Sequence, residues 1–178
     1  MNILLISSIT SIDKTQKDIL NISKSLKSFG HNVQTANLEG ETKEDILQKI
    51  ESDKIKDEDR ADYNDKVYSQ IKKTDIVIFE VSYPSPRIGF DLSFAISKDK
   101  PVICLFNEKH DHKVLPLFSV QLSKRVQYKE YNDKTIKKIL VDCVEKAKKN
   151  IDIRFNFFVP PRIVEYLEWV SKKLKTPR

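Results

Sequence analysis

Two stretches of this chain gather side chains that could do chemistry. The longer is Glu80-Val81-Ser82-Tyr83-Pro84-Ser85-Pro86-Arg87-Ile88-Gly89-Phe90-Asp91, which sets carboxylates, hydroxyls and a guanidinium around a pair of prolines. The shorter, Ser7-Ser8-Ile9-Thr10-Ser11, is a hydroxyl-rich turn, and a third loop follows Phe106. The chain has only three glycines, and Gly30 and Gly40 fit a helix end and a polar turn. Gly89 instead precedes a helix, two residues ahead of Asp91, where a missing side chain lets a ligand approach the backbone. Asp91 is thereby expected in a first helical turn, pointing into a crevice. The competing reading is a helix-terminal carboxylate favoured by the macrodipole, worth about 0.3–1 kcal/mol, and on spacing alone that is the simpler one. Glu80 is open to two readings, a catalytic acid or a carboxylate that caps neighbouring loop amides.

Other candidates carry less. His110 and His112 flank Asp111, and such a pair binds metal when both rings share a face. With no third ligand nearby, a solvated loop is the expectation. Tyr166 and Trp169 could form a stacking platform, but their helical spacing beside Leu167 and Val170 reads as core or interface. No P-loop, dinucleotide fingerprint or Ser-His-Asp arrangement occurs.

The elements that must position these loops follow from apolar periodicity. Asn2–Ser8 is a continuous apolar run of strand length, which points to a central parallel strand covered on both faces. Asp13–Phe29 repeats at helical spacing and Gly30 closes it. His31–Ala36 fits a second strand. The charged segment Leu38–Asp59 receives no fixed structure and is compatible with a lid or insertion. Asp62–Lys73 reads as a helix, Asp75–Val81 as the clearest strand, Ile88–Ile96 as the start of a helix after the Pro84 and Pro86 break, and Pro101–Phe106 as another buried strand. Arg125–Tyr128 is a weaker strand and Thr135–Lys148 an amphipathic helix. Strands alternating with helices give an α/β fold, Rossmann-like and doubly wound, with a mainly parallel five-stranded sheet. In such sheets ligands bind where loops at the strands' carboxyl ends meet helix N-termini.

The pattern changes after Asn150. Ile151–Val159 alternates like an edge strand, and Pro160–Leu174 places Ile163, Val164, Leu167, Val170 and Leu174 on one face. Residues 1–150 are therefore expected to form the α/β domain and 151–178 a C-terminal strand-helix arm. The arm resembles the first half of a ribbon-helix-helix module without its second helix, so it is read as a packing or dimerisation element in preference to a DNA-binding one.

Bulk properties bound the class. At 178 residues and 39% hydrophobic content, one sizeable core suffices. The net charge of +6 admits an anionic partner, but lysines interleave with acids as on solvated helix faces, so nucleic acid is an unlikely ligand on composition. Met1–Ser8 has no basic n-region or cleavage site, and no run approaches the roughly 18 apolar residues of a membrane span. Cys104 and Cys143 lie far apart in apolar segments, as buried thiols of a reducing compartment do. The expected location is cytoplasmic, away from membranes.

Asp75–Phe106 (DIVIFEVSYPSPRIGFDLSFAISKDKPVICLF) resembles, without gaps, a stretch of the nucleoside 2-deoxyribosyltransferase and 2'-deoxynucleoside 5'-phosphate N-hydrolase superfamily. There a strand ending Glu-Val-Ser/Thr is followed by Pro-Ser, Gly-x-Gly-Tyr-Glu, an alanine-bearing helix and a Lys-Pro-Val strand. Ser8-Ile9 before a helix is similar to the family's phosphate turn. The resemblance spans most of residues 1–150. It implies that Asp91 takes the place of a nucleophilic glutamate, that Ser8 and Ser85 match phosphate-contacting serines, and that Phe90 is the aromatic beside the nucleophile. Ile9, Thr10, Ser82, Arg87 and Gly89 complete the implied substrate site. Glu80 or Asp65 could supply an acidic partner, and Asp65 or Asp62 the acidic residue that contacts the sugar ahead of the third strand. No metal or cofactor is implied; the expected ligand is a small nucleoside or nucleotide, and the expected assembly a homo-oligomer, most simply a dimer.

The chemistry implied is cleavage or transfer at an N-glycosidic bond, in which a carboxylate traps the positive charge developing at the anomeric carbon. This sequence departs from the family in having aspartate for glutamate at 91, Thr10 for a phosphate-binding arginine, Pro116 for a serine supplied by a neighbouring subunit, and Arg87 for glycine. A nucleotide-binding protein of the same fold without turnover is the alternative expectation.

Overall fold

The computed structural model describes residues 1–8, 11–36, 57–83, 85–109, 126–149, 151 and 160–174, with the backbone alone for 57–63, 171, 172 and 174. The elements run β1 (Asn2–Ile6), α1 (Ile12–Ser28), β2 (Asn32–Thr35), α2 (Asp57–Lys73), β3 (Ile76–Glu80), α3 (Pro86–Ser97), β4 (Val102–Asn107), β5 (Val126–Tyr131), α4 (Ile136–Lys148) and α5 (Pro161–Leu174). The strands form one five-stranded sheet in the order β2-β1-β3-β4-β5, every pair parallel.

Strand alternation explains why these segments are apolar throughout. Along β3, Ile76 and Ile78 meet α1 and α4 through Ile19, Ile22, Leu26, Leu140 and Val144. Val77 and Phe79 point the other way, to Val67 and Ile71 of α2 and Ile88 and Ala95 of α3. Both faces of the sheet are thus dry, which removes the wet-face polar residues that a one-sided sheet would show. Cys104 and Cys143 are free and buried, and burial pushes the Cys104 thiol up to about 12. Among the described residues no helix is long and apolar enough to cross a membrane.

Three boundary shifts from the sequence reading bear on the elements around the site. Helix α3 begins at Pro86, two residues before the expected Ile88, because Ser85 caps it: the Ile88 N–H donates to Ser85 Oγ at 3.3 Å. Pro86 at the first helical position loses no intrahelical bond and has its φ preset, so this proline starts the helix it was expected to interrupt. Asp91 therefore lies in the second turn of α3, beyond the expected first. Helix α2 begins at Asp57, five residues before the expected Asp62. Strand β5 runs on to Tyr131, its Lys129 and Glu130 exposed while Tyr131 is buried. Residues 152–159 of the expected strand 151–159, residues 37–56 of the charged segment, and the loop holding His110, His112 and Pro116 lie outside the described residues.

Candidate active site

Glu80 ends β3 and Asp91 lies in the helix that follows it, and both carboxylates are buried, 1% and 2% exposed. They belong to different faces. Glu80 follows Ile76 and Ile78 in the alternation and so projects to the α1/α4 side, whereas Asp91 sits on α3, on the α2 side of the sheet.

Asp91 is held from its own helix. Arg87, one turn earlier, shares its Nε–H between the two Asp91 carboxylate oxygens, at 3.0 Å to Oδ1 and 2.9 Å to Oδ2. Arg87 Nη1 donates to Asn64 Oδ1 of α2, and the guanidinium carbon lies 5.9 Å from the centre of the Tyr68 ring. Tyr68 in turn stacks on Phe94 of α3 at 4.2 Å. Burial pushes the Asp91 carboxyl above its ordinary value, and the hydrogen bond and charge of Arg87 pull it back.

Glu80 belongs to a polar network. Its Oε1 accepts from the Ser82 N–H at 3.3 Å, from Ser82 Oγ, and from the Tyr131 hydroxyl at 3.2 Å. Ser82 Oγ also accepts from the Asn107 N–H at 2.8 Å, and Asn107 Nδ2 donates to Asp18 Oδ2 of α1 at 3.1 Å. Burial is the main reason the Glu80 carboxyl titrates above its ordinary value, and the Ser82 and Tyr131 hydrogen bonds oppose the rise. Burial, with the Glu80 charge next in weight, likewise raises the Tyr131 hydroxyl.

The residues expected around Asp91 divide accordingly. Ser8 is buried behind β1, and Ser85 caps α3. Ser82 is fully buried in the Glu80 network. Gly89 is exposed, and a β-carbon built there meets nothing within 4 Å, so the position faces open space and its backbone requires no glycine. Phe90 is 68% exposed and Asp65 is exposed on α2. Ile9, Thr10 and Pro84 lie outside the described residues. Sequence reading missed Asn64, Tyr68, Tyr131, Asn107 and Asp18. For Asn64 a signal existed: it falls in helical phase with Val67, Tyr68 and Ile71, which face the core, while Asp65 falls out of phase.

Known proteins share this chain's pattern. A family model described as nucleoside 2-deoxyribosyltransferase YtoQ matches residues 12–140. The 5-hydroxymethyl-dUMP N-hydrolase of Danio rerio is 30% identical over 105 residues, which are 53% of this chain and 66% of that protein, just under two thirds of its length. Among solved structures, the CMP N-glycosidase BcmB of Clostridium botulinum superposes with a TM-score of 0.48 at 18% identity, over 80% of this chain and 99% of that one. The constitutive lysine decarboxylase of E. coli gives 0.44 at 14% identity, over 90% of this chain and 21% of that one. Both structural likenesses are distant. The sequence match from residue 12 to residue 140 covers well over half of the chain, and the protein therefore belongs to the nucleoside 2-deoxyribosyltransferase family of the YtoQ type.

Proposed function

We propose that this protein cleaves or transfers at the N-glycosidic bond of a deoxynucleoside or a deoxynucleoside 5'-monophosphate, with Asp91 as the nucleophile. The observation that carries the reading is a carboxylate buried to 2% at the carboxyl edge of the sheet, within the family-matched span and ion-paired one turn back along its helix. An Asp91 oxygen attacks the anomeric carbon and forms a glycosyl ester as the bond to the base nitrogen breaks. The bonding pair leaves with the base, which takes up a proton. Water, or the nitrogen of a second base, then attacks the same carbon and returns the carboxylate. Glu80 is committed to Ser82 and Tyr131 on the other face of the sheet, and Asp65 is exposed and out of phase with the Asn64 that reaches Arg87, so the leaving base takes its proton from water.

The test is incubation with a panel of deoxynucleosides and their 5'-monophosphates, with free base measured by chromatography. Release from at least one member is expected. One specific observation favours the alternative of a nucleotide-binding protein without turnover: both Asp91 oxygens are already engaged by Arg87. Binding of the panel without release of base supports that alternative.

We also propose that the protein self-associates through α5. Ile163, Leu167 and Tyr166 on this helix are 48%, 53% and 60% exposed. The exposed apolar face continues through Val164 and Trp169, which are 42% and 54% exposed. Leu167→Glu is expected to weaken association at least about tenfold, read by sedimentation velocity across a concentration series, since burying one unpaired charge exceeds 1.4 kcal/mol.

A further inference from the structure

We infer that Arg87 is an anion-operated cover on Asp91 and thereby decides whether phosphorylated or unphosphorylated nucleosides are processed. The inference rests on Asp91 being the nucleophile. Three features of the geometry lead to it. First, the Arg87 Nε–H bridges both carboxylate oxygens at 2.9 and 3.0 Å, so an incoming sugar meets a carboxylate whose charge already faces a cation. Second, the cover lies outside the group it covers: the Arg87 side chain is 31% exposed against 3% for Asp91. Third, two of its further contacts, the neutral amide oxygen of Asn64 and the face of Tyr68, carry no charge.

A phosphate carries more charge than a carboxylate and can accept two parallel guanidinium N–H bonds, where Asp91 receives one shared N–H. A substrate bearing a 5'-phosphate therefore draws Arg87 off Asp91 as it binds, and the uncovered carboxylate faces the sugar of the same molecule. A neutral nucleoside has no group that competes for Arg87 and meets the covered form. Selection here operates on the reactive fraction of Asp91 as well as on affinity, so it appears in kcat and in KM.

The test compares wild type, Arg87→Gly and Arg87→Lys on matched pairs of deoxynucleoside and monophosphate. Arg87→Gly is expected to raise kcat on the nucleoside and to lower kcat/KM on the monophosphate by about 10- to 100-fold, the loss of one charge-assisted bond, with Arg87→Lys in between. Millimolar inorganic phosphate is expected to stimulate nucleoside cleavage by wild type and to leave Arg87→Gly unchanged. The acid limb of the pH profile should move to higher pH in Arg87→Gly, because the arginine holds the Asp91 carboxyl down. Equal losses on both substrates with an unmoved acid limb overturn the inference. A readout without turnover separates it from the glycosidase reading: the carboxyl carbon of Asp91, followed by NMR titration, should move to higher pH on adding inorganic phosphate to wild type and not to Arg87→Gly. That shift in a protein that releases no base keeps the cover and discards the glycosidase; no shift in wild type discards the cover.

Discussion

Asp91→Asn is expected to lower the rate of base release by at least about 1,000-fold at saturating substrate, the scale on which removing a covalent nucleophile acts. Asparagine keeps the shape of the side chain and an oxygen for the Arg87 Nε–H, so the variant should still fold and bind, and calorimetry with the best substrate of the panel verifies this. What it loses is the negative charge that meets the developing positive charge on the sugar. Asp91→Glu is the sharper companion. Because Asp91 is buried to 2% on α3, an added methylene pushes its carboxylate about 1 Å out of place, which costs on the order of 100-fold. Loss of that size marks a site built around aspartate. A gain in turnover on lengthening 91 would instead mark chemistry lost by shortening, and would transfer support to the non-catalytic alternative.

The Arg87–Asp91 pair also shows where the sequence could have been read further. Residues four apart share a helix face, so the pairing was legible once the helix was known to include Arg87. It was hidden because Pro84 and Pro86 read as a break, which started the helix at Ile88 and left Arg87 in the loop. The capping oxygen of Ser85 and the tolerance of a first helical position for proline resolve this. The sheet posed the opposite problem. Runs such as Asp75–Val81 announce a buried parallel strand so plainly that the fold class and the core were within reach. Yet every residue from Ile76 to Glu80 is buried, so the pattern carries no mark of which side each residue faces. The side given to Glu80 is fixed by which helices pack where, a tertiary fact, and Glu80 and Asp91 therefore looked like partners when they belong to opposite faces. Charge singles out Asp65 in α2, whereas helical phase turns its neighbour Asn64 toward the core.

Glu80→Ala is expected to destabilise the fold by about 3 kcal/mol or more, since it strips the acceptor from the Ser82 N–H, Ser82 Oγ and the Tyr131 hydroxyl in a fully buried setting. Glu80→Gln keeps an oxygen in place for these donors and is expected to stay within about 1 kcal/mol of wild type. Its difference from wild type should depend on pH in a direction that burial dictates. The second oxygen, Oε2, has no hydrogen-bond partner among the described residues, and burial raises the carboxyl above its ordinary value. The folded protein thus binds this proton more tightly than the unfolded chain. Between the ordinary glutamate value and the raised folded one, wild-type stability falls as pH rises, and above that window it stays at the lower level. Glutamine does not titrate, so Glu80→Gln gains on wild type through the window and shows no such gain below it. Denaturant midpoints collected from acid to neutral pH, at constant m-value, measure this directly. A midpoint difference that runs the other way would mean that Glu80 is held as an anion. Because this network lies on the α1 side of the sheet and Asp91 on the α2 side, base release should survive Glu80→Gln while it is lost in Asp91→Asn, and a collapse of both would return Glu80 to the reaction as its acid.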